Sequence, residues 1–151
     1  MNFEIAFPTI WANFDANAHM RHTAYNDYAA EVRSRFFASN GFSLIDFAKH
    51  NIGPVLFTEN TKFYREILIG ENIKVNLIFI AASSKFERFK FKHQIIKDNG
   101  VVSAEIEIYG AWIDLSQRKL TTPPQPMIDI FNNLEKSADF EEIVLKTKPL
   151  N

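Results

Sequence analysis

Between Trp11 and His22 the chain reads Trp-Ala-Asn-Phe-Asp-Ala-Asn-Ala-His-Met-Arg-His, its richest run of polar groups. The run precedes a helical pattern, and the first amides of a helix have no intrahelical acceptor, point outward and carry partial positive charge. Such a place suits an oxyanion. A carboxylate held across from those amides, here Asp15, can deliver water to a carbonyl or attack it directly. The same residue types also allow a plainer role: Asp15 as the acceptor of an Asx-turn or a cap, His19 and His22 as surface or loop-bonded histidines, and Arg21 in solvent. His19 and His22 have no third ligand in view and the chain has no cysteine, so no metal site is expected.

The elements that must position this loop follow from periodicity. From Thr23, Tyr25, Tyr28, Ala29, Val32 and Phe36 recur at spacings of three and four until Asn40-Gly41, which predicts one long helix. Ser43 starts a short helix through Leu44, Ile45, Phe47 and Ala48, ending near Asn51-Ile52-Gly53. A first strand, Phe3 to Phe7, stops at Pro8. Three further strands alternate apolar and polar residues through Ile73–Phe79, Phe89–Ile95 and Ala104–Trp112, and Val55 to Ile69 is a fourth candidate. Gly70-Glu71, Ser83-Ser84 and Asp98-Asn99-Gly100 are short enough for hairpins, so these strands are expected to be consecutive antiparallel neighbours. Pro126 opens a last helix with Met127, Ile130, Phe131 and Leu134 on one stripe, and the tail after Lys136 reads as a peripheral helix or a frayed end.

Residues 1–151 therefore read as one α+β domain, since no linker or repeat interrupts them. Seventeen Lys+Arg against eighteen Asp+Glu lack the basic excess of a non-specific nucleic-acid binder. No apolar run reaches the roughly 18 residues of a membrane span and no signal-peptide pattern begins the chain, so a cytoplasmic protein is expected, with neither nucleic acid nor membrane as partner. Fifteen phenylalanines imply a thick aromatic core, an acyl-sized pocket or a large subunit interface. One long helix cannot cover both faces of the sheet, so one face is wet or a second copy of the chain covers it.

Trp11, Asp15, Ala18, His19-Met20, Tyr25, Tyr28 and Glu31 through Arg33, followed by Gly53-Pro54-Val55, Phe63-Tyr64, Gly70-Glu71, Asn99-Gly100 and Pro123-Pro124, together resemble the acyl-CoA thioesterases of the 4-hydroxybenzoyl-CoA thioesterase type. The resemblance runs from about Ile5 to Phe131. It implies the hot dog fold, a five-stranded antiparallel sheet wrapped around one long helix, in homodimers or homotetramers with active sites at the dimer interface. It implies hydrolysis of an acyl-CoA to free acid and CoA without a cofactor. Asp15 matches the family's catalytic carboxylate, and the backbone amide near His22 matches the donor that polarises the thioester carbonyl. This chain departs from many relatives at Asn13, Ala18, Arg21 and His22, and a basic cluster of some members is reduced to Ser83-Ser84-Lys85 with Arg88 nearby.

Coenzyme A carries phosphates, which makes Lys85 and Arg88 candidate substrate-binding residues, although their alternation with Phe suits a solvated strand face equally. His19, Tyr25 and Glu59 complete the candidate substrate contacts, with Tyr25 also a candidate for the core. Glu59 lies on the second strand, which in this fold approaches the neighbouring subunit's site. His93 alternates with Phe and reads as a core or interface histidine. An acyl-carrier-protein thioesterase and a non-catalytic acyl-thioester-binding protein are the alternatives.

Overall fold

A computed structural model describes residues 3–146. Strand β1 (Phe3–Pro8) leads through a 3-10 turn at Trp11–Asn13 and the Asp15 loop into α1 (His22–Ser39), followed by α2 (Leu44–Lys49). Strands β2 (Ile52–Phe63), β3 (Asn72–Ala82), β4 (Arg88–Lys97) and β5 (Val102–Asp114) then build the sheet. The short β6 (Leu120–Thr121), α3 (Gln125–Asn132) and β7 (Lys136–Glu142) complete it. The long helix starts one residue before the expected Thr23 and stops where Gly41, at φ +90°, turns the chain away. A capping box opens α2, with the Asp46 carboxylate accepting from the Ser43 amide and hydroxyl.

The sheet order is β1-β3-β4-β5-β2, with β6 beside β5 and β7 beside β3. The two hairpins β3–β4 and β4–β5 form as the sequence predicts, but β2 is not the neighbour of β3. It pairs antiparallel with β5 at the far edge, while β1 takes the place beside β3. The second strand also ends at Phe63 rather than Ile69. Residues 64–71 instead cross back toward β3 and tether the Asp15 loop, so Gly70, at φ +88°, turns a crossover and not a hairpin. The sheet has seven strands, not five. The tail after Lys136 is neither helix nor frayed: β7 runs parallel to β3 at Phe79–Ala82, beyond the stretch that β1 covers, and Phe140 packs edge-on against Phe79 at 4.9 Å. This extra strand satisfies the exposed half of the β3 edge.

Helix α1 lies on one face of the sheet and buries Ala24, Tyr25, Ala29, Val32, Phe36 and Phe37. The opposite face stays polar near β2, where Thr58, Asn60, Lys62, Lys90, Lys92, Glu105 and Glu107 line a shallow depression. Much of the phenylalanine content goes into the core: Phe37, Phe79, Phe86, Phe89, Phe91 and Trp112 surround Phe131 of α3 at ring distances of 5.1–6.3 Å. His93 is fully buried on the same face of β4 as Phe89 and Phe91. Its Nδ1 lies 2.7 Å from the Asn76 carbonyl and its Nε2 lies 3.1 Å from Arg33 Nη1. The guanidinium can only donate, so Nε2 accepts and Nδ1 carries the proton, which makes His93 a neutral imidazole. Burial, with the Arg33 charge second, pushes its pKa down to about 3.

Candidate active site

The Asp15 loop is a closed hairpin. The Asp15 amide donates to the His19 carbonyl at 2.9 Å, the Ala18 amide to the Asp15 carbonyl at 3.0 Å, and Ala18 turns the chain at φ +60°. Met20 and Ile69 amides then bind the Ile67 and Ala18 carbonyls, fixing the hairpin to the 67–69 crossover. Within it the Asp15 side chain forms the Asx-turn that the plainer reading allowed: Oδ1 accepts from the Asn17 amide at 2.9 Å and the His19 amide at 3.2 Å. Only Oδ1 is used. Among the described residues Oδ2 takes no hydrogen bond from protein, so one oxygen anchors the carboxylate while the other stays available.

Helix α1 begins directly after this loop. Arg21 is its N-cap and is not simply solvated: Nε donates to the Ala12 carbonyl at 3.0 Å and Nη1 to the Thr23 hydroxyl at 2.7 Å, locking the loop to the first turn. The Arg21 amide binds the Asn13 carbonyl and the Ala24 amide binds the Arg21 carbonyl, whereas the His22 and Thr23 amides have no protein acceptor among the described residues. Asn13 accepts the Tyr28 hydroxyl through Oδ1 and so serves the loop's architecture. Burial raises the pKa of both Tyr28 and Tyr25, so both phenols stay protonated at neutral pH.

Asp15, His19, His22 and Tyr25 line one open pocket of about 400 Å³ with Met20, Phe63, Tyr64, Arg65 and Glu66. The Tyr25 ring meets Phe63 edge-on at 5.0 Å, and His19 Nε2 lies 3.1 Å from the Glu66 carboxylate. Ser103 holds the 64–66 segment in place: its carbonyl accepts from the Tyr64 and Arg65 amides, and its hydroxyl donates to the Arg65 carbonyl at 2.6 Å.

The other sequence-derived candidates lie elsewhere in the protomer. Lys85 and Arg88 sit at the opposite end of the sheet, because β4 runs from Arg88, opposite Ala111, to Ile95, opposite the Ala104 that pairs with Phe63. Seven strand residues separate the two ends, about 23 Å. Arg88 instead lies over the Phe57 ring at 5.3 Å. Glu59 faces the helix side of β2 opposite Ile108 but does not line the Asp15 pocket. Arg65 and Glu66, which do line it, fall within the 55–69 stretch that the sequence predicts as strand, whereas β2 ends at Phe63. Their one signal was the break in alternation after Phe63.

Residues 10–131 match the thioesterase-like superfamily. A comparison with curated protein sequences finds no match. Among solved structures, a hypothetical protein of Staphylococcus aureus in complex with CoA superposes with a TM-score of 0.82 at 19% identity, over 99% of this chain and 90% of that one. A 1,4-dihydroxy-2-naphthoyl-CoA thioesterase from Synechocystis gives 0.79 at 20% identity, over 89% and 98%. A DHNA-CoA thioesterase from Staphylococcus aureus gives 0.73 at 19% identity, over 80% of each chain. Similarity at this level of identity establishes the fold, and the family match covers most of the chain: this protein belongs to the thioesterase-like superfamily and has the hot dog fold.

Proposed function

We propose that this thioester hydrolase cleaves acyl-CoA to a free acid and CoA, with Asp15 as its catalytic carboxylate and the first amides of α1 as its oxyanion donors. The observation that carries the reading is that Asp15 shares one pocket with His22 at the helix start, where, among the described residues, Asp15 Oδ2 takes no hydrogen bond and two amides lack acceptors. The thioester carbonyl oxygen receives the His22 and Thr23 amides. Asp15 either takes a proton from a water that attacks the carbonyl carbon or attacks that carbon itself. In both cases the C–S bond breaks, the thiolate leaves as CoA and takes up a proton, and water supplies the second oxygen of the acid.

The naming of structural neighbours as CoA thioesterases, and one neighbour's complex with CoA, support CoA as the carrier. Within the protomer Arg65 takes the phosphate-binding role that the sequence offered to Lys85 and Arg88, because it is the cation at the pocket. His19 and Tyr25 contact the thioester end. The free edge of β2, with Leu56, Phe57 and Phe63 exposed, supports a homodimer joined through that strand, which would bring Glu59, Lys85 and Arg88 nearer the partner's site. No described helix is long and apolar enough to cross a membrane. Release of free thiol from short, long and aromatic acyl-CoAs tests the proposal. Turnover of at least one member is expected, and a purified, folded protein that hydrolyses none would overturn it.

A further inference from the structure

The seam between α1 and β2 extends well past Asp15. His22, Asn26, Ala30, Arg33 and Phe37 recur at spacings of three and four along α1, so they form one stripe. Strand β2 runs beside this stripe in the opposite direction. The Tyr25 and Phe63 rings meet at the Asp15 end, the Thr61 hydroxyl donates to Asn26 Oδ1 at 2.7 Å in the middle, and Glu59 acts electrostatically on Arg33 beyond it. The helix packs chiefly over β1, β3 and β5, so the inner side of β2 is left mostly open. At the far end the seam widens into a cavity of about 240 Å³, whose walls include Ala30, Arg33, Phe37, Phe47, Leu56 and Phe89.

Arg33 is out of place in those apolar walls. Its Nη1 reaches inward to the neutral Nε2 of the fully buried His93 at 3.1 Å, and that is its one hydrogen bond among the described residues. A guanidinium has five N–H donors and no acceptor, and a sheltered cation without a close anion is costly. Glu59 is the carboxylate that acts on it, yet the two form no ion pair within 4 Å. Donors are thus left beside a largely apolar cavity whose lining side chains offer the Ser34 hydroxyl and no carboxylate. From His22 to Arg33 the helix advances eleven residues, about 16 Å, which is the reach of a long acyl chain and too far for a single aromatic ring.

We infer that this cavity is a distal acyl subsite in which Arg33 determines specificity by receiving an oxygen acceptor, a hydroxyl or a carboxylate, at the tip of a long acyl group. The inference rests on the thioesterase reading, because the acyl carbonyl must sit at the helix start for the tip to reach Arg33. It makes Arg33 a specificity residue and leaves the hydrolytic chemistry to Asp15.

The test compares tetradecanoyl-CoA, 14-hydroxytetradecanoyl-CoA and tetradecanedioyl-CoA on the wild type, Arg33→Gln and Ser34→Phe. A site built to bind a polar group rejects an analogue lacking it strongly, so at least one oxygenated substrate should exceed tetradecanoyl-CoA in kcat/KM by about tenfold or more. Which one does so identifies the acceptor. In Arg33→Gln that ratio should fall to near one. Ser34→Phe, at an exposed position on the cavity wall, should lower the same ratio by filling the space, and it carries the test if Arg33→Gln does not fold. Wild-type hydrolysis of all three at similar rates, or a preference that survives in both variants, would overturn the inference alone. If only other acyl-CoAs are hydrolysed the inference alone fails, and if no acyl-CoA is hydrolysed the catalytic reading fails. The thioesters then persist, and their calorimetric affinities decide the inference separately: a tighter oxygenated ligand weakened by Arg33→Gln supports it, and equal affinities overturn it.

Discussion

Acid should destabilise this fold through His93. The unfolded chain protonates this imidazole near its ordinary pKa of 6.5, whereas the folded chain does so only at about 3, because burial and the Arg33 guanidinium disfavour a second positive charge. Between those values the unfolded state binds about one proton more than the folded state, so stability is full above 6.5 and is lost as pH falls. Well inside that window each unit of pH costs about 1.4 kcal/mol, and a drop from pH 6.5, where half of the unfolded imidazoles are already charged, to 4.5 costs about 2 kcal/mol. That is a large part of the ~5–15 kcal/mol typical of a domain. His93→Gln isolates the effect: its amide can donate to the Asn76 carbonyl and accept from Arg33, but does not titrate. Urea unfolding of both proteins across pH 4.5–7 should show the wild type losing roughly 2–3 kcal/mol more than the variant. Carboxylates such as Glu87, whose pKa the fold lowers chiefly through its hydrogen bonds despite burial, act equally in both proteins and cancel. Parallel curves would refute the assignment of His93 as a buried neutral imidazole.

Two further substitutions probe the site and the sheet. Arg65→Met should raise KM for CoA thioesters about tenfold while kcat changes less, since a charge-assisted hydrogen bond contributes roughly 1.5–3 kcal/mol; an unchanged KM would remove Arg65 from substrate binding. Gly110→Ala should destabilise the fold by about 1–3 kcal/mol, seen as a drop in Tm of several degrees. A Cβ there would lie 2.8 Å from the Val55 carbonyl oxygen and 2.9 Å from the Phe89 ring, so β2 would have to part from β5, and an unaltered Tm would contradict that packing.

Local pattern determined what could be read from the sequence. Tyr25, Val32 and Phe36 at helical spacing located α1, and the alternation of Phe89, Phe91 and His93 located β4, because in both the buried face repeats with the period of the element. The place of β2 depends on a partner some fifty residues away, and no local signal distinguishes pairing with β5 from pairing with β3. Strand β7 was illegible for another reason: Lys-Ser-Ala-Asp-Phe-Glu-Glu offers Phe140 as its one large apolar side chain, and its strand form comes from the unpaired edge of β3. In the site, Asp15, His19, His22 and Tyr25 are close in sequence and the structure brings them to one pocket. Lys85 and Arg88 are candidates in the sequence by charge alone, and only the fold reveals that they stand at the other end of the sheet. Arg33 is legible in the sequence only as part of the Glu31–Arg33 stretch of the resemblance, and its inward turn is not, since that depends on His93 from another element.

The most direct measurement is kcat of Asp15→Asn beside the wild type on the best acyl-CoA substrate. The amide can still accept the Asn17 and His19 amides through its oxygen, so the loop keeps its shape while the charge at the unbonded oxygen is lost. A positioned carboxylate contributes about 10²–10⁴-fold as a general base, so the account predicts a loss of at least a hundredfold. Turnover of the variant within a few-fold of the wild type would contradict it.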